Sequence, residues 1–351
     1  MKRRKFLENA SVLAGSGFLF PNIILKPHQA NIKRNITDSS ELWRKSAGEL
    51  GVLISQKKVS VKEITSAHIE RIKAVNPRVN AVTELLEETA LKNAEKSDQV
   101  ISKSNRLTPL FGIPFSVKEN IDLAGHATTE GVIFLKNNIV SADSPHVDLI
   151  RKSGAIPLAR TNMPDFGLRY HTDNDLFGAT INPWNALLTP GGSSGGDAVA
   201  VATGMVPIGL GNDYGGSIRW PAQCCGVSGL RPSRGRIPFY TRSMSHGTIA
   251  PSLRMMAVQG VLARRITDLR TALEIMSASG YADPSWVPAP FDGKTNRPFR
   301  VAVITNPGGL GIDDSVIDGV KRAASILEKF GGIVEEIDST SFCTFSSINT
   351  N

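Results

Sequence analysis

The sequence predicts an α/β protein whose sheet contains parallel strands, and three observations carry that expectation. The order strand, helix, strand occurs twice, first across "LFGIPFSVKEN", "DSPHVDLIRKSGA" and "IPLARTN", then across "FRVAVITN", "DSVIDGVKRAASILEKFGG" and "IVEEID". A strand that returns parallel to its predecessor needs a crossover, usually a helix, so each triplet reads as a βαβ unit. Composition agrees, because 41% apolar and 21% charged residues over 351 positions suit a globular chain with one large core or two ordinary ones. No run approaches the roughly 20 apolar residues that span a bilayer, which excludes a multi-pass membrane protein.

The first thirty residues, "MKRRKFLENASVLAGSGFLFPNIILKPHQA", join a basic start to an apolar stretch from Ala10 to Phe20 and a small residue at Ala30. This is the layout of an export signal, and Arg3-Arg4 before Phe6-Leu7 gives it the twin-arginine form, so residues 1–30 are expected to be a leader and the mature chain to be exported, to the periplasm. The leader carries a net +4 of the chain's +8, which leaves the remainder only mildly basic. With no Lys/Arg stripe interleaved with aromatics, nucleic-acid binding has no support, and no stable membrane insertion is expected once the leader is removed.

Ser60-Val61-Lys62-Glu63 has the form of a capping box opening a helix that is expected to end before Asn76-Pro77, and a second helical pattern runs over 84–96. In "DSPHVDLIRKSGA", Ser144 caps, Pro145 takes the first helical position and Gly154 closes. The second crossover helix shows apolar residues at Val316, Ile317, Val320, Ala324, Ile326 and Leu327, the stripe a sheet-covering helix presents. Residues 283–298, with four prolines, read as a long surface connection inside one domain. Cys224, Cys225 and Cys343 form no C-x-x-C pair and have no histidine at ligand spacing, so they read as small buried residues, with neither metal nor disulfide expected.

Two Gly-Gly-Ser turns, at Ser193 and Ser217, lie 24 residues apart in "TPGGSSGGDAVAVATGMVPIGLGNDYGGSIRWP". A phosphate-binding loop requires lysine where Asp197 stands, and a dinucleotide fingerprint begun at Gly209-Leu210-Gly211 meets Tyr214 in place of its third glycine. Gly191-Gly192-Ser193-Ser194-Gly195 does satisfy G-x-S-x-G, but the strand that should precede that elbow is missing and His246 is the only downstream histidine. Nucleophilic chemistry without histidine is the alternative: a buried neutral lysine can accept a serine proton once desolvation lowers its pKa, and "GIPFSVKEN" puts Lys118 at the end of an apolar run. Ser193 also reads as a simple helix cap before "GDAVAVATGM", and Asp213 and Arg219 as a pair bracing the second turn.

These stretches, with "ARTNMPDFG", "FGATINPWN" and "GLGNDYGGSIRWPAQCCGVSGLRPSRGR", resemble the amidase signature family of Ser-Ser-Lys serine hydrolases over about residues 110–236, and "QGVLARRITDL" is a weaker echo of it. The resemblance implies a mixed twisted β-sheet sandwiched by helices, hydrolysis of a small-molecule carboxylic amide, and no cofactor. It implies Ser217 as nucleophile, Ser193 as the bridging serine with a cis peptide, and Lys118 as base, with backbone N–H groups from Tyr214, Gly215, Gly216 and Ser217 as oxyanion hole and Asp213 and Arg219 in support. Glycine at 215 and 216 fits that role, since a bare backbone can turn its amides toward a developing oxyanion. Asp197 stands where the family shows Glu or Ser, and Arg231-Pro232-Ser233 replaces Lys-Pro-Thr. The family's chains continue well beyond residue 351, so the amidase domain over 31–351 is expected to be incomplete at its C-terminus. Two other roles stay open beside hydrolysis: the glutaminase component of a tRNA amidotransferase, which frees ammonia from glutamine, and a catalytically silent fragment.

Overall fold

A computed structural model describes residues 39–103, 107–240, 243, 250–280, 283–291, 298–307 and 311–337. The expected leader at 1–30, His246 and Cys343 lie outside the described residues. The chain divides into two compact units, Met1–Ala289 and Pro290–Asn351. The division falls inside the proline-rich stretch 283–298, where the sequence predicts a connection within one domain. Its four prolines lack the N–H donors that a strand or helix requires, and none of the described residues of the stretch lies in a helix or strand.

In the first unit, α1 (Ala47–Ser55) and α2 (Val61–Val79) each begin with a full capping box. For α2, Ser60 Oγ accepts from the Glu63 amide at 3.0 Å while Glu63 Oε2 accepts from the Ser60 amide at 2.8 Å. The helix does not stop before Asn76-Pro77: it runs through Pro77 to a left-handed Asn80. Proline removes only its own donor there. The Asn80 amide still reaches Asn76 O at 2.8 Å, and the Asn76 side chain accepts from the Ala81 and Val82 amides, so the last turn is satisfied without it. The next helical pattern also shifts, since Glu84 belongs to β1 (Val82–Leu85) and helix α3 spans Glu87–Lys103. Pairing with a neighbouring strand overrides the local helical preference over those four residues.

Strands β2 (Pro114–Lys118) and β3 (Ile156–Thr161) are buried at every position and joined through α4 (Pro145–Lys152), with Ser144 as its cap residue. They pair in parallel, as the first βαβ reading expects. Helix α5 (Gly195–Ala202), strand β4 (Ile208–Asp213), helix α6 (Arg219–Cys225), strand β5 (Ser228–Leu230), helix α7 (Pro251–Met256), strand β6 (Val258–Ala263) and helix α8 (Ile266–Met276) follow. The sheet order is β1-β3-β2-β4-β6-β5, with β3, β2 and β4 mutually parallel, β1 and β6 antiparallel to them, and β5 antiparallel to β6. This is the mixed sheet that the resemblance implies, flanked by helices. Phe115, Val117, Leu158, Ile208, Leu210, Val261 and Leu262 are all fully buried in it. Each such side chain stabilises by about 1.5–3 kcal/mol relative to exposure, which makes the centre of this sheet the rigid base of the site.

The glycines of β4 have a packing function. A Cβ on Gly209 would stand 3.0 Å from Asp197 Cβ, and one on Gly211 would stand 2.6 Å from Ser194 Oγ, so only bare backbone lets the start of α5 sit this close to the sheet.

The second unit is the other expected βαβ: β7 (Arg300–Val303), α9 (Asp314–Lys329) and β8 (Ile333–Glu336), the strands parallel with Arg300 opposite Ile333. Asp313 caps α9 through the Ser315 amide at 2.9 Å, and no residue of that helix is buried.

Candidate active site

Lys118 closes β2, and its side chain is fully buried. Its Nζ donates to Ser193 Oγ at 2.6 Å and to Asn212 Oδ1 at 2.8 Å, both neutral acceptors. Asn212 is oriented in turn by a 2.8 Å bond from its Nδ2 to Asn120 Oδ1. Burial disfavours the ammonium and lowers the Lys118 pKa below that of an ordinary lysine, against the opposing fields of Asp197, Glu130 and Asp213. A strand-end lysine pointing into solvent is thereby excluded.

The first Gly-Gly-Ser turn carries Ser193 to that amine. Its Gly192–Ser193 peptide bond is cis. Both glycines are held in close quarters: a Cβ on Gly191 would lie 2.4 Å from Pro221 Cα, and one on Gly192 would lie 2.6 Å from Arg169 O. Ser193 is 2% exposed, and the residue capping α5 is Ser194, so the Ser193 hydroxyl is free of capping duty. The elbow alternative loses its structural context, because no strand precedes Ser193.

The second turn leaves β4 at Asp213, passes Tyr214, Gly215, Gly216 and Ser217, and enters α6 at Arg219. The Ser194 amide donates to Ser217 O at 3.0 Å, tying the two turns together, and Ser217 is 6% exposed. Asp213 organises the turn from inside: its carboxylate accepts from the Gly216 amide at 2.8 Å, the Ile218 amide at 3.1 Å and the Arg219 guanidinium at 3.0 Å, with Arg231 at 3.4 Å. Burial alone would raise its pKa, but the Arg219 guanidinium and the two amides outweigh burial and hold it below the usual carboxylate range. Asp213 and Arg219 are therefore a real pair rather than two solvated charges. One expectation changes here. The Gly216 N–H, one of the four amides assigned to the oxyanion hole, already donates to Asp213 Oδ1 at 2.8 Å.

Other groups near the base were not assigned from sequence. Asn212 directly precedes Asp213, and two-residue strand alternation from Leu210 is the signal that could have found it. Asp197 is fully buried at the start of α5, where its Oδ1 accepts from Ser116 Oγ at 2.7 Å and Thr161 Oγ1 at 2.8 Å. Glu130 is half-buried and its carboxyl is pushed up to about 8, mainly by desolvation. Cys225 is a buried thiol that donates to Pro190 O at 3.3 Å, with burial pushing its pKa up to about 12, which leaves no thiolate for chemistry. Among the described residues no cluster of His, Cys, Asp and Glu is arranged to hold a metal ion.

Comparison with known proteins gives this geometry its relatives. A family model described as Amidase matches residues 63–349. An indoleacetamide hydrolase of Bradyrhizobium diazoefficiens is 42% identical over 299 residues, which cover 85% of this chain and 57% of that protein. The A component of the glutamyl-tRNA(Gln) amidotransferase of Sulfurihydrogenibium sp. is 36% identical over 303 residues, covering 85% and 61%. Among solved structures, a bacterial aryl acylamidase of the amidase signature family superimposes with a TM-score of 0.76 at 30% identity, covering 84% of this chain and 61% of that one. A fatty acid amide hydrolase gives 0.76 at 28% identity, covering 86% and 54%. The chain thus spans less than two thirds of the length of each of these relatives. The match over residues 63–349 establishes what the sequence motifs suggested: the chain belongs to the amidase signature family.

Proposed function

We propose that this protein hydrolyses a carboxylic amide through an acyl-enzyme on Ser217. The observation that carries the reading is the fully buried Lys118 amine on the Ser193 hydroxyl at 2.6 Å. Burial lowers the pKa of this lysine even against the nearby carboxylates, and so makes available the neutral amine that a general base for a serine relay requires.

In the first half-reaction neutral Lys118 takes the proton of Ser193, Ser193 takes that of Ser217, and Ser217 Oγ attacks the amide carbonyl carbon. The negative charge that develops on the carbonyl oxygen is met by backbone N–H groups of Tyr214, Gly215 and Ser217, each such donor being worth about 2.7–4 kcal/mol in comparable hydrolases. Collapse of the tetrahedral adduct breaks the C–N bond, and the leaving nitrogen receives the relayed proton and departs as ammonia or amine. Water then attacks the Ser217 ester with the same relay as base, releasing the carboxylic acid. Serine, lysine and backbone amides supply nucleophile, base and electrophile in this scheme.

The 42% identity to an indoleacetamide hydrolase supports a primary amide of an aryl-bearing acid as the first substrate to test. Incubation with indoleacetamide, with ammonia and acid quantified, is expected to give both products in equal amounts and to give none with Ser217→Ala. Release of neither product by the folded wild-type chain, across a panel of aryl, acyl and aliphatic amides, would sink the reading. A second reading, glutamine hydrolysis as part of a tRNA amidotransferase, is supported by the 36% identity to a component of such an enzyme. It predicts ammonia from glutamine and none from the aryl amides.

A further inference from the structure

One buried acid near the base has no part in the scheme above. Asp197 is fully buried, and its two oxygens are treated unequally: Oδ1 accepts from Ser116 and Thr161, whereas Oδ2 has no hydrogen-bond partner. Leaving a carboxylate oxygen bare in the interior is costly unless a positive charge nearby offsets it. The topology says which charge that is. Ser116 and Lys118 are two apart on β2, so their side chains share a face of the sheet, and the hydroxyl of one holds Asp197 while the amine of the other lies one pleat further along. Asp197 lies in the first turn of α5, just after the Ser193 turn that carries the Lys118 hydrogen-bond partner. The bare backbone of Gly209 is what admits Asp197 there, since a Cβ would stand 3.1 Å from its Oδ1.

We propose that Asp197 is a positioning residue that sets the charge of Lys118: ionised and held by Ser116 and Thr161, it stabilises the ammonium form and so determines the pH at which the base becomes available. Lys118 faces three acids, Asp197 from α5, Glu130 from the loop after β2, and Asp213 from the end of β4, and Asp197 exerts the largest of the three opposing fields. Asp197 faces two cations, Lys118 from β2 and Arg160 from β3. Desolvation drives both members of the Lys118 and Asp197 pair toward their neutral forms, and each opposes that drift in the other. The arrangement serves turnover in a simple way. The same carboxylate that keeps the resting lysine from being neutral too readily stabilises the ammonium formed when the relay delivers a proton. The catalytic consequence rests on the amidase reading, but the effect on Lys118 does not.

The test is a direct titration of Lys118. Lysine labelled with carbon-13 at Cε is incorporated into the full chain, the Lys118 signal is assigned by its loss in Lys118→Met, and its pKa is followed in wild type, Asp197→Asn and Asp197→Ser. Asparagine keeps an acceptor for both hydroxyls, and serine is a residue the family carries at this position, so two independent charge removals are available should one fold poorly. Removing the charge is expected to lower the Lys118 pKa by about one unit or more, the usual effect of a neighbouring opposite charge. Fluorophosphonate labelling of Ser217 is followed in parallel, and its rising pH limb is expected to move to lower pH by the same amount. A Lys118 titration unchanged in both variants overturns the proposal, even if both are less stable, because a merely structural role moves stability and not this pKa. A lowered Lys118 pKa in chains that take no label upholds the assignment to Asp197 while removing the amidase reading.

Discussion

Asp213→Ala is the substitution that separates structural support from surface charge in this site. The Asp213 carboxylate is the acceptor for the half-buried Gly216 amide and the buried Ile218 amide, which flank Ser217 on either side. Truncation leaves both N–H groups without their acceptor, at about 1–3 kcal/mol for the buried Ile218 amide and about 0–1 kcal/mol for the half-buried Gly216 amide, so a loss of about 1–4 kcal/mol is expected. That is a large share of the roughly 5–15 kcal/mol that usually separates folded from unfolded chains. Arg219 is the other half of the pair, but its side chain is 55% exposed, so Arg219→Ala should cost only about 0–1 kcal/mol. The turn is also expected to relax around Ser217, and a displacement of about 1 Å at a reacting atom slows chemistry roughly 100-fold. Urea unfolding of the two variants, beside their rates of fluorophosphonate labelling, reads both quantities. The reasoning is refuted if Asp213→Ala destabilises by less than about 1 kcal/mol, or no more than Arg219→Ala does.

Three further outcomes are expected. His146 is fully buried with neither ring nitrogen hydrogen-bonded, and burial lowers its pKa from 6.5 to about 3 despite Asp122. The unfolded chain therefore takes up this proton first, so stability falls as pH drops from 6.5 toward 3, by about 2 kcal/mol at pH 5. His146→Leu removes that loss, and the stability gap between variant and wild type should move in the variant's favour by about 2 kcal/mol between pH 8 and pH 5 in denaturant titrations; a constant gap would contradict this. A Cβ on Gly196 would stand 2.4 Å from the Asn162 amide nitrogen and 2.5 Å from its carbonyl oxygen, so Gly196→Ala must push α5 off β3. It should cost about 1–3 kcal/mol and slow labelling at Ser217, whereas full retention of both would show that the contact yields freely. Finally, we propose that residues 1–30 are an export leader, and N-terminal sequencing of the protein from its native host should begin beyond it; recovery of Met1 or Lys2 would rule that out.

The parts of this molecule that could be read from sequence are those where local chemistry and tertiary structure agree. The Ser60 capping box, the Ser144-Pro145 helix start and both parallel βαβ units occupy their expected places, because caps and apolar periodicity act within a few residues. Lys118 was legible for the same reason: an apolar run ending in lysine puts an amine where water is scarce. What escaped depends on distant neighbours. Val82–Leu85 is a strand only because β3 offers it a partner, and α2 survives Pro77 only because Asn76 satisfies the chain beyond it. Gly209 and Gly211, which in sequence begin only a failed dinucleotide fingerprint, are places where β4 is cleared for the start of α5. Asp197 and Asn212 converge on Lys118 from separate elements, and no spacing along the chain announces that. The resemblance to the amidase signature family assigns the Gly216 amide to the oxyanion hole, and only the folded turn shows Asp213 already accepting from it.

The central claim is that Lys118, Ser193 and Ser217 act as one nucleophilic unit within these 351 residues. Fluorophosphonate labelling of the chain, read by intact mass and peptide mapping, tests it most directly. The account predicts a single adduct on Ser217, absent in Ser217→Ala and slowed at least about 100-fold in Lys118→Met, the scale on which general-base catalysis operates. An adduct on Ser193, a rate indifferent to Lys118, or no adduct on a folded chain would contradict it.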